Sequence, residues 1–128
     1  NYIFHRNNID FKKKLKWENH KTTLIPIKYT NDKLNVEEIV QQLSKLEISN
    51  LLIEGGGKIA ASFIESDLID KVVHYNTGLI LGSNGVPSIS KIFKKYKNIK
   101  NFPRLDLKSV RNIGNDVETI WERVNSYL

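Results

Sequence analysis

The chain has 128 residues, of which 40% are hydrophobic and 27% charged, and its net charge is +6. Composition and length are typical of a single globular domain that is large enough to bury a core. Cysteine is absent, which excludes disulfides and thiolate metal sites. No apolar run approaches the roughly 20 residues of a membrane span. We therefore expect a cytoplasmic protein with no membrane partner.

The first residue is Asn1, and the chain contains no methionine. A translation product normally begins with methionine. We therefore expect that a further segment precedes Asn1.

The first predicted elements alternate between strand and helix. Residues 2–5 (YIFH) are typical of a short strand, and the following segment predicts a helix capped by Asn8. Residues 21–29 (KTTLIPIKY) predict a second strand, in which Pro26 indicates an edge position or a kink.

A longer amphipathic helix is predicted over residues 34–48, where Asn35 and Glu38 have the spacing of a capping box. Residues 49–54 (SNLLIE) predict a short buried strand. Residues 57–67 (GKIAASFIESD) predict the next helix, with Ile59, Phe63 and Ile64 on one side.

The last elements are predicted to be mainly strands. Residues 70–81 favour a long strand with a bend near Gly78, residues 82–88 a loop, and residues 89–97 a short helix. Residues 104–124 predict a closing hairpin with its turn at Gly114. This order predicts an α/β fold with a largely parallel sheet and a C-terminal antiparallel hairpin, in one domain spanning residues 1–128.

The glycine run at 55–57 joins a predicted strand to a predicted helix. Glycine permits a sharp turn and close approach of a ligand, and a helix N-terminus with free N–H groups attracts phosphate. Gly55, Gly56 and Gly57, followed by Lys58, would then hold a diphosphate. The alternative is a turn that only connects two elements, because the run has neither the complete GxGxxG pattern nor the ending of a P-loop.

Glu54 ends the predicted strand, at the edge where open α/β sheets bind ligands. Beside a phosphate site, its carboxylate would need a donor such as a sugar hydroxyl or an amine. Alternatively, Glu54 only complements the dipole of the following helix.

The residues also bear on nucleic-acid binding and on metal binding. The positive charge fits a nucleic-acid-binding module, but the lysines are dispersed and no RNP motif accompanies them, so we expect no nucleic-acid partner. No pair of histidines has metal-ligand spacing, so we expect no metal site.

Residues 51–89 resemble the reductase domain of the bifunctional deaminase–reductase of riboflavin biosynthesis. The matching motifs are Glu-Gly-Gly at 54–56, Ser-Phe-Ile at 62–64, Asp70, and Leu-Ile-Leu-Gly at 79–82. The segment at 112–124 (NIGNDVETIWERV) is similar to the family's ending. The sequence departs from the pattern at Lys71, at 77–79 and at Ser83.

This resemblance implies a dihydrofolate-reductase-like fold, a three-layer mixed sheet flanked by helices, of which the chain would hold only the later part. It implies hydride transfer from NADPH to 5-amino-6-(5-phosphoribosylamino)uracil, a phosphorylated pyrimidine. The alternative is another NADPH reductase of the same fold. A homodimer is implied as well. We expect the 128 residues alone to be inactive.

The resemblance also implies roles for single residues. Gly55 and Gly56 would lie against the cofactor diphosphate, and Glu54 would face the substrate or the nicotinamide. Arg6, at the end of the first strand, would contact the 2′-phosphate of NADPH, with His5 or Asn7 as helpers. The alternative for Arg6 is a solvated arginine. No protein side chain is expected to act as a catalytic nucleophile, because the cofactor carries the hydride chemistry.

Overall fold

The computed structural model describes residues 1–18, 21–92 and 98–124. It divides into two compact units, residues 1–52 and 53–128, and each is described by itself. Within the described residues, no helix is both long enough and apolar enough to span a membrane.

The first unit contains four strands and two helices. In chain order they are β1 (Tyr2–Arg6), α1 (Phe11–Trp17), β2 (Thr23–Ile27), β3 (Tyr29–Thr30), β4 (Lys33–Leu34) and α2 (Val36–Lys45). Strands β1 and β2 are parallel, with Arg6 opposite Ile27, so that β1, α1 and β2 form a βαβ unit. Ile27, Val36 and Leu43 are the buried apolar residues of this unit.

Local side-chain chemistry sets where the two helices begin. Asp10 caps α1 by accepting from the Lys12 N–H at 2.8 Å, so the predicted cap at Asn8 is wrong by two residues. Asn35 caps α2 as predicted, accepting from the Glu38 N–H at 2.8 Å. The Glu38 carboxylate, however, accepts from the Lys28 N–H at 2.8 Å and thereby ties α2 to the end of β2.

Sequence reasoning missed the short hairpin formed by β3 and β4. Its two loop residues, Asn31 and Asp32, have φ values of 52° and 58°, the pattern of a type I′ turn. The signal was present, because Asn and Asp tolerate left-handed backbone better than other side chains do.

The second unit contains helix α3 (Gly57–Glu65) and strands β5 (Lys71–Asn76), β6 (Leu105–Ile113) and β7 (Asp116–Arg123), with 3₁₀ turns at Gly82–Asn84 and Ile99–Asn101. The strands form an antiparallel sheet in the order β5-β7-β6. The predicted closing hairpin is confirmed, with Gly114 at φ 62° in its two-residue loop. Ala61 and Phe63 of α3 are buried, whereas Ile59 is 49% exposed.

Three expected elements differ from the structure. Residues 49–54 have no strand pairing, although their apolar run favoured a strand. Strand β5 ends at Asn76 and does not continue through Gly78. Of the helix expected over 89–97, residues 89–92 are not helical and 93–97 lie outside the described residues.

The central strand β7 carries a buried carboxylate, that of Glu118, which is 4% exposed. Tyr75 and Arg111 lie directly opposite it on the two neighbouring strands. The Tyr75 hydroxyl donates to Glu118 Oε2 at 2.7 Å, and Arg111 Nη2 lies 2.8 Å from Oε1. Both carboxylate oxygens are therefore paired, as a buried charge requires.

Arg123, at the end of β7, holds the connection between α3 and β5. Its guanidinium donates to both carboxylate oxygens of Asp67 at 3.1 Å and to the Asp67 carbonyl, and its Nε donates to Ile69 O at 3.2 Å. Asp67 has φ 58° and follows a helix end in which the Leu68 N–H donates to Phe63 O at 3.0 Å. This Schellman motif places the left-handed residue where a planar guanidinium can bind it.

We predict that Arg123→Lys lowers the free energy of unfolding of the full-length protein by about 1 kcal/mol, because a lysine cannot reproduce the fork of hydrogen bonds. We expect only about 1 kcal/mol because the side chains of Arg123 and Asp67 are both partly exposed, which weakens their ion pair. Urea unfolding measures it. The control is Lys71→Gln, which breaks the exposed Lys71–Glu122 pair and should cost less than about 0.5 kcal/mol. Equal losses would show that Arg123 contributes no more than a surface ion pair.

The hydrogen bond to Glu118, together with the charge of that carboxylate, raises the pKa of Tyr75 above 10.0. The folded state therefore favours the neutral phenol. This contribution to stability is complete below the ordinary tyrosine pKa and is lost as pH rises through the raised value. We expect Glu118→Gln to return the pKa of Tyr75 toward 10.0. Absorbance titration at alkaline pH, with Tyr75→Phe subtracted, measures it; an unchanged midpoint would contradict the assignment.

Candidate functional site

The glycine run forms the start of α3, as the sequence predicted. Gly56 is the N-cap residue, with φ −64° and ψ 171°, and no side chain caps the helix. The first turn contains no acidic residue. The Ile59 and Ala60 N–H groups both donate to Gly56 O, at 2.9 and 3.3 Å. Among the described residues, the N–H groups of Gly57 and Lys58 have no acceptor, so this helix start can donate to an anion.

Gly57 is enclosed by the protein itself. A Cβ at this position would lie 2.5 Å from Pro87 O, 3.0 Å from Ser90 N and 3.1 Å from Ser88 O. The Ser90 N–H donates to Gly57 O at 3.0 Å. Segment 87–90 therefore runs against the first residue of α3, and glycine is required because backbone atoms fill the space of a side chain.

Gly55 and Gly56 have different surroundings. A Cβ at Gly55 would lie 2.7 Å from Ile59 Cδ1, the end of a flexible side chain. A Cβ at Gly56 would have no atom within 4 Å, and the backbone angles of Gly56 are open to any residue. Sterically the protein does not require glycine at 56, although glycine is a favoured N-cap residue, and the open space there leaves room for an approaching ligand.

Segment 87–90 is the part of this site that sequence reasoning missed. The sequence predicts the end of a loop and the beginning of a helix there. The signal that could have found it is the third glycine, because binding a phosphate does not need three consecutive glycines. A helix residue in close contact with a second backbone does need one.

Two charged side chains flank the glycine run, and neither is paired with another described residue of the chain. Glu54 and Lys58 are exposed. Within the described residues, neither side chain takes part in a hydrogen bond or an ion pair. The structure thus brings Glu54, the glycines and Lys58 together at one helix start and leaves both charges available. Their assignment to substrate and cofactor stays a prediction.

Arg6 lies in the first unit, at the last position of β1. Its guanidinium carbon lies 6.0 Å from the centre of the Tyr29 ring, a cation–π arrangement. His5 Nδ1 lies 2.8 Å from Arg6 O. Because a carbonyl only accepts, Nδ1 carries the proton and Nε2 of a neutral ring is an acceptor. A neutral His5 is thus poorly suited to help bind a phosphate. Whether Arg6 contacts a phosphate stays a prediction.

A diphosphate fits the start of α3. Two free N–H donors, an exposed lysine and an uncovered glycine provide hydrogen bonds, positive charge and space.

Comparison with protein families gives a match between residues 3–119 and the family described as the RibD C-terminal domain. One similar protein is the riboflavin biosynthesis protein RibD of Buchnera aphidicola subsp. Baizongia pistaciae, 27% identical over 86% of this chain and 29% of the relative. Another is the 5-amino-6-(5-phosphoribosylamino)uracil reductase of Buchnera aphidicola subsp. Acyrthosiphon pisum, 33% identical over 77% of this chain and 47% of the relative. The chain spans less than half the length of these two relatives.

A solved structure of RibD from Acinetobacter baumannii matches 94% of this chain and 36% of its own, with a TM-score of 0.61 and 18% sequence identity. At this identity the likeness concerns the fold. The predicted dihydrofolate-reductase-like α/β class is confirmed by it. The expectation of a largely parallel sheet is wrong for the described residues, because β1 and β2 pair in parallel whereas all other described strand pairs are antiparallel.

We predict that alanine destabilises the protein much more at Gly57 than at the neighbouring Gly56. Gly57→Ala should destabilise the full-length protein by about 1–3 kcal/mol, because the overlap with Pro87 O outweighs the gain of about 1 kcal/mol in helix propensity. Gly56→Ala should cost less, about 0.5 kcal/mol, since its Cβ meets no atom and only the N-cap preference for glycine over alanine is lost. Thermal or urea unfolding measures both. A stabilised Gly57→Ala variant would contradict the close contact with segment 87–90.

Proposed function

Because the chain belongs to the RibD C-terminal domain family, we propose that it is part of a riboflavin-pathway reductase. The reaction is hydride transfer from NADPH to the ribosylamino group of 5-amino-6-(5-phosphoribosylamino)uracil, which opens the ribose and gives a ribityl chain. A relative named for reduction of this substrate supports the choice. The observation in this chain that carries it is the uncovered Gly56 at an uncapped helix start.

The start of α3 is proposed as the diphosphate site. The N–H groups of Gly57 and Lys58 donate to phosphate oxygens, and the Lys58 ammonium adds positive charge. Gly55 and Gly56 form the turn that the diphosphate approaches, with Gly56 as the position of closest passage. Gly57 has a second role, because it also admits segment 87–90.

Glu54 is proposed to face the substrate. Its exposed carboxylate adjoins the glycines in sequence and has no partner within the described part of the chain. A carboxylate in that position accepts hydrogen bonds from a sugar hydroxyl or an amine and, by this means, orients the ribosylamino group. NADPH supplies the hydride when bound, and the protein supplies orientation and charge.

Arg6 is proposed to contact the 2′-phosphate of the cofactor. The proposal rests on observations within residues 1–52: the exposed guanidinium at the end of a parallel strand and the ring that holds it. Formation of a homodimer follows from the family resemblance and likewise stays a proposal.

The test of the proposed site is Gly56→Val in the full-length protein. We expect NADPH affinity to fall at least about tenfold, which corresponds to about 1.4 kcal/mol, because a branched side chain fills the path of the diphosphate. NADPH fluorescence titration measures it. The matched control is Gly78→Val, since a Cβ at Gly78 also has no atom within 4 Å and lies outside the glycine run. Unchanged affinity in folded Gly56→Val would remove the glycine run from the cofactor site.

The same titration distinguishes a nucleic-acid-binding module. The exposed lysines of α1 allow binding of a duplex oligonucleotide through phosphates, and such binding falls steeply with salt. Wild-type protein that binds the duplex at low salt and does not bind NADPH would overturn the proposed reductase.

A further inference from the structure

The contact between Arg6 and Tyr29 joins the end of β1 to the beginning of β3. Arg6 is exposed and Tyr29 is 42% exposed, so both side chains remain reachable from water. Within the described residues, Arg6 makes no ion pair, and the Tyr29 ring is the group that faces its guanidinium. The arginine therefore keeps its hydrogen-bond donors free while its charge lies over a ring.

The backbone around Tyr29 is fixed on both sides. The preceding residue, Lys28, donates its N–H to Glu38 at 2.8 Å and accepts from the Asn35 N–H at 2.9 Å. On the other side, Tyr29 pairs with Leu34 in the β3–β4 hairpin; its hydroxyl lies 3.4 Å from Asp32 Oδ1, too long for a strong hydrogen bond. The backbone next to Tyr29 is therefore hydrogen-bonded to the start of α2, which fixes the position of the ring beside Arg6.

We propose that Tyr29 is a positioning residue that orients Arg6 and thereby determines the preference for a phosphorylated over an unphosphorylated nicotinamide dinucleotide. The inference rests on the proposed function. An arginine free in water samples many rotamers and loses that freedom when it binds a phosphate. A ring that already holds the guanidinium reduces this loss. Because a cation–π contact uses no hydrogen-bond donor of the guanidinium, the N–H groups of Arg6 stay available for phosphate oxygens.

Charge and orientation are then provided by two different residues. Arg6 provides the charge that a 2′-phosphate needs, and Tyr29 provides the orientation. Tyr29 itself need not touch the cofactor. Its removal should therefore affect NADPH and leave NADH unchanged, because NADH has no group for Arg6 to bind.

The experiment compares NADPH and NADH dissociation constants in the full-length wild type, Tyr29→Leu, Tyr29→Phe, Arg6→Ala and the double variant Arg6→Ala/Tyr29→Leu. Tyr29→Leu removes the ring and keeps an apolar side chain. We expect about a two- to fivefold loss of NADPH affinity, the scale of an exposed cation–π contact, with NADH unchanged. Tyr29→Phe keeps the ring and should bind both cofactors like wild type. In the Arg6→Ala background, Tyr29→Leu should have no further effect.

Two results would overturn the inference while the proposed function stands. Equal losses for NADPH and NADH in Tyr29→Leu would show a general structural role, and a Tyr29→Phe variant as weak as Tyr29→Leu would show that the hydroxyl matters instead of the ring. An unchanged NADPH-to-NADH ratio in Arg6→Ala would overturn both the Arg6 contact and the role of Tyr29. Wild-type protein without affinity for NADPH would instead refute the proposed function. Circular dichroism spectra confirm that each variant is folded.

Discussion

The candidate site depends on one contact between backbone atoms, that of Gly57 with segment 87–90. The Ser90 N–H donates to Gly57 O, and Pro87 O occupies the place where a Cβ would lie. A loop far along the chain is thereby fixed against the first turn of α3. The contact uses the Gly57 carbonyl, and within the described residues the N–H groups of Gly57 and Lys58 have no acceptor. The helix start is supported without being capped.

A side chain would meet a different environment at each of the three consecutive glycines. Gly57 admits a second backbone, Gly55 avoids Ile59, and Gly56 faces open space. A ligand-binding loop combines two requirements, a fixed backbone and an accessible one, and here neighbouring residues meet them separately. The exposed charges of Glu54 and Lys58 flank the accessible position, which gives the helix start one acceptor and one cation for a polar ligand.

Charges elsewhere in the protein are paired where they have a structural role. Glu118 is buried between Tyr75 and Arg111, and Asp67, in a left-handed conformation, is bound by Arg123. Arg6 differs, because in the described part of the chain its guanidinium lies over a ring and beside no carboxylate. A carboxylate partner would compete with a phosphate, whereas a ring holds the arginine and leaves its donors free. Arg111 and Arg123 are thus paired with carboxylates, and the different partner of Arg6 agrees with the binding role proposed for it.

The sequence by itself determined the elements with strong local signals. The periodicity of α2, its cap at Asn35, the hairpin turn at Gly114 and the glycine run at a helix start all depend on residues close in the chain, and all appear as expected. The family resemblance followed from the same local motifs. Only the tertiary structure decided that residues 49–54 form no strand, that Gly57 packs against Pro87, and that Tyr29 meets Arg6. These features depend on groups separated by more than twenty residues, and no spacing rule within one helix or strand encodes which distant backbone or ring will lie there.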